Sequence, residues 1–167
     1  MNFQFYVENL KEFRSYKEFM KKNPDAFPCS GFFIIDKQGM DEQQHFDFYI
    51  PKDKKMVSFK LEDNCELEPL EFVEEKVLEK LDLNLDFDFK KIEKMIEKRK
   101  EEEGIKSEIQ KYLFSLQNSE TGHILVGTVF ISMLGMLHVK IDLDKMEITL
   151  FEKKSFFDIM KVRRGKD

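Results

Sequence analysis

The sequence predicts an α+β protein in which an antiparallel β-meander carries helices packed on one face. Successive stretches alternate apolar and polar residues, as half-buried strands do. Other stretches repeat apolar residues at a spacing of three and four, which indicates amphipathic helices. Strands follow one another in runs instead of alternating singly with helices, and this order favours α+β over a parallel sheet. A chain of 167 residues is long enough to bury the core of a single domain, residues 1–167.

The first half is predicted to be a helix, three strands and a second helix. The first helix spans residues 7–22 and ends before Pro24, because proline disfavours helix in the residue before it. Its apolar residues have helical spacing: Val7, Leu10, Phe13, Tyr16 and Met20. The three strands are "GFFIID", "HFDFYI" and "MVSFKLE". The second helix spans residues 69–82 with Pro69 in its first turn, and its apolar stripe is Leu70, Val73, Val77, Leu78 and Leu81.

The second half is predicted to be one charged helix followed by four strands. The helix runs from about Asp88 to Glu103 and should face water over most of its surface. Gly104 is well placed to end it. The strands are predicted at about Ile109–Gln117, His123–Met133, Met136–Leu143 and Glu147–Lys153. A tail that begins with apolar residues and ends with basic ones follows them.

The stretch from Ile124 to Leu137 contains no charged residue. A membrane-spanning helix needs about 20 apolar residues, and the β-branched residues and glycines here favour two antiparallel strands instead. Both faces of these strands are apolar, so both require cover. A second subunit or a protein partner is one source of cover, and the third helix or tail residues Phe156, Phe157, Ile159 and Met160 are the other. The predicted interface residues are Ile124, Val126, Val129, Ile131 and Met133.

An internal match suggests a duplication. Residues 50–59 and 141–150 share the pattern I-x-x-D-K-x-x-[VI]-[ST]-[FL] at an offset of 91, as expected for a hairpin with Asp-Lys at its turn. The sequence therefore raises two interpretations. The chain contains two α-βββ halves, residues 1–65 and 86–155, joined by the helix at 69–82, or the match arose by chance.

In their order of elements, these halves resemble the cystatin-like and PepSY-like folds. Residues 7–81, in the order α-βββ-α, also look like the small acidic secretion-chaperone fold. Cystatin-like halves can hold a ligand between helix and curved sheet, and this resemblance therefore implies a pocket at that place. Fold resemblance alone does not fix a function.

Few residues point to catalysis or to a cofactor. No glycine-rich phosphate loop is present, no cofactor is expected, and the histidines lack the spacing of a zinc site. Cys29 and Cys65 are widely separated and are expected to be buried, reduced thiols. The simple interpretation of the three histidines is that they occupy solvent-facing positions of strands. Each of the three is also a candidate ligand residue: His45, His123 and His138.

The overall charge makes nucleic acid an unfavourable partner. Acidic residues outnumber basic ones by 33 to 28, and the net charge is −5, so long-range attraction to phosphate backbones is not expected. Arg163 and Arg164 in the tail are the residues that could contact nucleic acid. Lys and Glu enrichment is compatible with a thermophilic source or with an AT-rich genome. The amino-terminal stretch lacks the pattern of a signal peptide, which favours a cytoplasmic location.

The sequence therefore predicts a small, non-enzymatic binding or scaffold protein of the cytoplasm that engages itself as a homodimer or another protein through an apolar sheet face. The alternative is a small-molecule-binding or enzymatic α+β domain with a pocket between helix and sheet. A deep pocket that is lined by Phe and Met and contains one of the three histidines would favour this alternative.

Overall fold

A computed structural model of the chain describes residues 1–71 and 79–155. In chain order the helices are α1 (Phe3–Glu12), α2 (Arg14–Lys22) and α3 (Phe89–Glu102). The strands are β1 (Phe27–Asp36), β2 (Gln43–Ile50), β3 (Lys55–Lys60), β4 (Glu66–Leu70), β5 (Ile109–Ser119), β6 (Gly122–Ile131), β7 (Gly135–Asp142) and β8 (Glu147–Ser155). A short 3₁₀ turn, Leu61–Asp63, precedes β4.

The eight strands form one antiparallel sheet in the order β4-β3-β2-β1-β5-β6-β7-β8. The predicted α+β class with a meander sheet is confirmed. Strands β1 and β5 pair at the centre with Phe33 opposite Phe114. Each of them is the first strand of a four-strand meander, β1 to β4 on one side and β5 to β8 on the other. Since α1 and α2 precede the first meander and α3 precedes the second, each half of the chain is helical first and then extended.

All three helices pack on the same face of the sheet, which we call the helix face. Aromatic rings make most of this contact. The Phe33 ring lies 6.0 Å from Phe3 of α1 and 4.9 Å from Phe89 of α3. Farther along the sheet, Phe19 of α2 packs against Phe59 at 5.1 Å. These rings belong to one continuous hydrophobic core.

The predicted helix over residues 7–22 is wrong in one respect, because two helices occupy this region. Phe13 separates α1 from α2 with an extended backbone, φ −67° and ψ 135°. A straight helix over residues 7–22 would extend about 24 Å and would not follow the twist of the sheet. The break allows Phe3 to reach Phe46 in β2 while Phe19 reaches Phe59 in β3.

The predicted helix over residues 69–82 is contradicted at both of its described ends. Pro69 and Leu70 lie in the edge strand β4, where Pro69 pairs with Val57. An edge strand tolerates proline, since its outer side needs no backbone donor. Leu81 is buried but not helical, and its N–H donates to the Pro28 carbonyl at 2.8 Å. The remaining stripe residues, Val73, Val77 and Leu78, lie outside the described residues.

The two segments of the internal match occupy different places in the two meanders. Residues 50–59 belong to the hairpin of the second and third strands of their meander, β2 and β3, whereas residues 141–150 belong to the third and fourth, β7 and β8. Their register also differs, because Ile50 pairs with Lys55 while Ile141 pairs with Ile148. A duplication of residues 1–65 and 86–155 stays a prediction, and it would have to align β2–β3 with β6–β7.

The uncharged stretch forms β6, β7 and the turn between them, as its composition predicts. Met133 and Leu134 make that turn with positive φ angles of 64° and 57°. Within residues 1–71 and 79–155, no helix is long and apolar enough to cross a membrane.

The helix face leaves no room for a side chain at Gly127 in β6. A Cβ there would lie 2.6 Å from Val139 Cγ2 and 3.0 Å from Phe114 Cε1. We expect Gly127→Ala to lower the free energy of unfolding by about 1–3 kcal/mol, because overpacking a filled core forces its neighbours to shift. Urea denaturation measures this change. Gly31→Ala is the comparison variant, and a smaller loss is expected there because its closest contact is the longer 3.0 Å approach to Phe33 Cε2. A loss at Gly31 that equals or exceeds the loss at Gly127 would contradict the packing explanation.

Candidate functional site

The side of the sheet opposite the helices, which we call the open face, has no described helix packed on it. Most of its apolar side chains are contributed by β1, β5, β6 and β7. They are partly buried by one another, and Ile34 among them is buried. None of them belongs to the core between helices and sheet. They are Phe32, Ile34, Leu113, Ile124, Val126, Phe130 and Met136.

Strand register brings several of these residues into direct contact positions. Ile34 lies opposite Leu113 across the central strand pair, and Phe130 lies opposite Met136. Val126 lies opposite Ser115, so the apolar surface continues into a small polar patch. The open face is therefore a mixed surface that a protein partner could cover.

Two pairs of polar side chains on the open face are hydrogen-bonded to each other. Ser30 Oγ donates to Asp47 Oδ2 at 2.7 Å, and Gln117 Nε2 donates to Ser115 Oγ at 3.0 Å. Burying polar groups that already have partners costs less than burying free ones. These pairs therefore make the face easier to cover than its composition alone indicates.

The predicted interface residues divide between three environments. Ile124 and Val126 lie half-buried on the open face, whereas Val129 and Ile131 are buried against the helices. Met133 leaves the strand and is 92% exposed in the β6–β7 turn. Of the five predicted interface residues, only Ile124 and Val126 therefore lie on the open face, because alternation turns Val129 and Ile131 to the core and the turn removes Met133 from the strand.

One end of the open face carries further exposed apolar side chains. Leu134 in the β6–β7 turn is 64% exposed, and Met40 in the β1–β2 turn is 79% exposed. A cavity of about 150 Å³ beside them is lined in part by Phe130, Leu134 and Met136. This end extends the apolar surface beyond the strands themselves.

A larger cavity of about 570 Å³ opens on the other side of the sheet, where α1 and α2 meet the segment 80–84. We call it the helix-side cavity. Tyr16, Met20, Phe27 and Phe48 line its apolar part, and His123 at the start of β6 lies on its polar side. A volume of this size is typical of small-molecule sites, which occupy about 300–1,000 Å³.

The wall of the helix-side cavity is irregular backbone held by side chains from distant parts of the chain. Gln4 Nε2 donates to the carbonyls of Leu83 and Leu85, at 2.7 and 2.6 Å. Asn118 Nδ2 donates to the Lys80 carbonyl at 2.9 Å. The pattern of the sequence did not indicate these contacts, because a loop that is held by single hydrogen bonds leaves no periodic signal.

His123 has a structural partner in this wall. Its Nε2 accepts a hydrogen bond from the Asp82 N–H at 3.3 Å, and its Nδ1 lies 4.0 Å from Asp144 Oδ1. An accepting Nε2 requires the proton of the neutral ring to sit on Nδ1. The imidazole therefore supports the loop instead of presenting a free nitrogen to the cavity.

The other two histidines lie on the open face, as the strand alternation predicted. His45 Nε2 is 2.7 Å from Glu62 Oε1, and the ring lies 5.8 Å from that of Phe32. His138 stands between Thr128 and Glu152 in the register of its neighbouring strands. Throughout the described ranges, no group of three or more His, Cys, Asp or Glu residues could hold a metal ion.

Both cysteines are buried and free. Burial, with a contribution from Asp47, raises the pKa of the Cys29 thiol from 9.0 to about 12. Burial also raises the pKa of Cys65. A thiol is a poor nucleophile compared with a thiolate, so the expectation of inert thiols fits their surroundings.

A buried charge cluster joins α3 to the β1–β2 turn, and sequence reasoning missed it. Glu93 is 3% exposed, and its two carboxylate oxygens lie 3.3 Å from Lys37 Nζ and 3.1 Å from Lys90 Nζ. Burial and the carboxylates of Glu97 and Glu93 raise the pKa of Tyr112. In the sequence, Glu93 belongs to a run of charges typical of a solvated helix face. It differs from its charged neighbours because Lys37 approaches it from another element, and the sequence does not reveal that contact.

Arg163 and Arg164, the predicted nucleic-acid contacts, lie outside the described residues. The same is true of the tail residues that were considered as cover for the sheet, which are Phe156, Phe157, Ile159 and Met160.

The raised pKa of Cys29 predicts a pH dependence of stability. From pH 8 to pH 10 the unfolded thiol ionises near its usual pKa of 9.0, whereas the folded thiol, with a pKa of about 12, stays protonated. The protonated thiol therefore stabilises the fold below pH 9, and this contribution is lost as the pH rises. We expect wild type to lose about 1 kcal/mol more than Cys29→Ala over this interval, measured by urea denaturation at each pH. Parallel losses in the two proteins would contradict the raised pKa.

The chain was compared with models of protein families, with curated proteins and with solved structures, and none of the three comparisons gave a match. The open face and the helix-side cavity are therefore the two candidate sites of the described chain.

Proposed function

We propose that this chain is a non-enzymatic binding protein of the cytoplasm that forms a homodimer through its open face. The observation that carries the proposal is the asymmetry of the sheet. The helix face is covered by all three described helices, while the open face carries Phe32, Leu113, Val126 and Phe130 with no described helix over them. Two free cysteines accord with a reducing compartment.

The whole open face is large enough for a stable dimer. Strands about 4.8 Å apart and about 3.3 Å per residue make a sheet of eight strands about 38 Å wide and about 26 Å long. That is about 1,000 Å², of which the four strands with the apolar side chains make about half, compared with about 800 Å² per partner in a standard interface. A second copy of this chain presents the same face and could bury it by isologous contact.

Face-to-face packing would give a four-layer dimer of helices, sheet, sheet and helices. Two sheets pack about 10 Å apart with interdigitating side chains, and the aromatic and branched residues of this face supply such side chains. The Ser30–Asp47 and Gln117–Ser115 pairs would enter the interface with their hydrogen bonds already made. These features support a second copy as the occupant.

Light scattering coupled to size exclusion tests the proposal with the full-length chain. We expect a dimer mass for wild type at micromolar concentration. Val126→Lys should give a monomer with unchanged circular dichroism, because it puts a second ammonium group directly opposite Lys140, and burying an unpaired charge in an interface costs several kcal/mol. A loss of that size weakens the dimer at least about 100-fold.

Glu101→Gln is the control, because it changes the net charge by the same +1 on an exposed position of α3, in the opposite layer. This variant should remain a dimer. A wild-type monomer at micromolar concentration would overturn the homodimer, as would a dimer that Val126→Lys leaves intact. In the first case, a different protein would be the candidate occupant of the open face.

A further inference from the structure

The helix-side cavity has an apolar floor and a positively charged rim. Phe48 and Leu81 are fully buried beneath it, and Tyr16 and Met20 form part of its wall. Lys11 and Lys80 stand exposed at its edge. A cavity of this composition matches a molecule with an apolar body and one anionic group.

We propose that the helix-side cavity binds a small amphiphilic anion, such as an alkyl carboxylate. The alkyl part packs against Tyr16, Met20 and Phe27, and the carboxylate lies between Lys11 and Lys80. This site is separate from the open face and goes beyond the proposed dimer.

The unpaired positive charges at the rim favour a negatively charged ligand. Within residues 1–71 and 79–155, neither Lys11 nor Lys80 has a carboxylate partner within 4 Å, since neither lysine takes part in an ion pair. The one lining carboxylate, Asp82, already accepts the Asn84 N–H at 2.8 Å, and its own N–H is bound to His123. Two ammonium groups of the lining therefore stand without a carboxylate partner, and ammonium groups bind anions.

The cavity is preformed because its wall is fixed. Leu81 is tied to Pro28, and Asn118 and Gln4 hold the carbonyls of Lys80 and Leu83. A ligand that enters does not have to order this part of the chain, and ordering a loop would otherwise weaken binding. The geometry thus favours a rigid site over one that assembles around its ligand.

Calorimetric titration with decanoate and with decanol tests the chemical class, because the two probes share an alkyl chain and differ in charge. We expect saturable binding of one decanoate per chain and at least about fivefold weaker binding of decanol. Lys11→Gln and Lys80→Gln should each weaken decanoate binding about threefold, as expected for exposed ion pairs. Together they should abolish its preference over decanol.

Lys21→Gln is the matched control. Lys21 is an exposed lysine of α2 outside the cavity lining, and its variant should bind decanoate as wild type does. Equal affinities for decanoate and decanol in wild type would overturn the proposal. The absence of saturable decanoate binding, or unchanged affinity in the double lysine variant, would overturn it as well.

Methionine methyl resonances locate the bound probe. Decanoate should shift the Met20 signal in the cavity and leave Met136 on the open face unchanged. A shift at Met136 with none at Met20 would place the probe on the open face and overturn the cavity assignment. Val126→Lys should retain decanoate affinity, so a failure of the dimer and a failure of this site give different results.

Discussion

The pairing of β1 with β5, together with the packing of the Phe33 side chain of β1, joins the two halves of the molecule. This pair joins the two meanders into one sheet. The Phe33 ring contacts Phe46 on the neighbouring strand, Phe3 of α1 and Phe89 of α3. Both helix-bearing halves of the chain therefore meet at one buried ring, and aromatic pairs of this kind add about 0.5–1.5 kcal/mol each beyond their buried area.

This arrangement places every described helix on one side and determines the character of the other. A strand sends alternate side chains to opposite faces, so residues that flank Phe33 and Phe114 must point away from the core. At those positions the chain carries Phe32, Ile34 and Leu113 instead of charged residues. An isolated sheet with one solvated face usually has polar residues there, and apolar residues at these positions support a second layer.

The sequence predicted the strands well and the irregular parts poorly, for physical reasons. Strict alternation located β5 to β8 within a few residues of their ends, because one buried face imposes a period of two. The break at Phe13 has no such signal, since both flanking segments keep helical periodicity. Strand β4 was also missed, because "ELEPL" combines charged residues with proline and has no buried face that would produce alternation.

A pocket between helix and sheet belonged to the alternative function that the sequence left open, but the lining of the helix-side cavity could not be predicted. The wall at Lys80 to Leu85 depends on Gln4, Asn118 and His123, each far away in the sequence. Only the fold brings those donors and acceptors to the same loop. The role of His123 likewise follows from its hydrogen bond to Asp82, which spacing alone could not reveal.

The two sites use opposite sides of one sheet and are therefore physically independent. The cavity is enclosed by α1, α2 and the loop that ends near Leu85, all in the helix layer. Coverage of the open face by a second copy would leave its mouth accessible, because the sheet lies between the two.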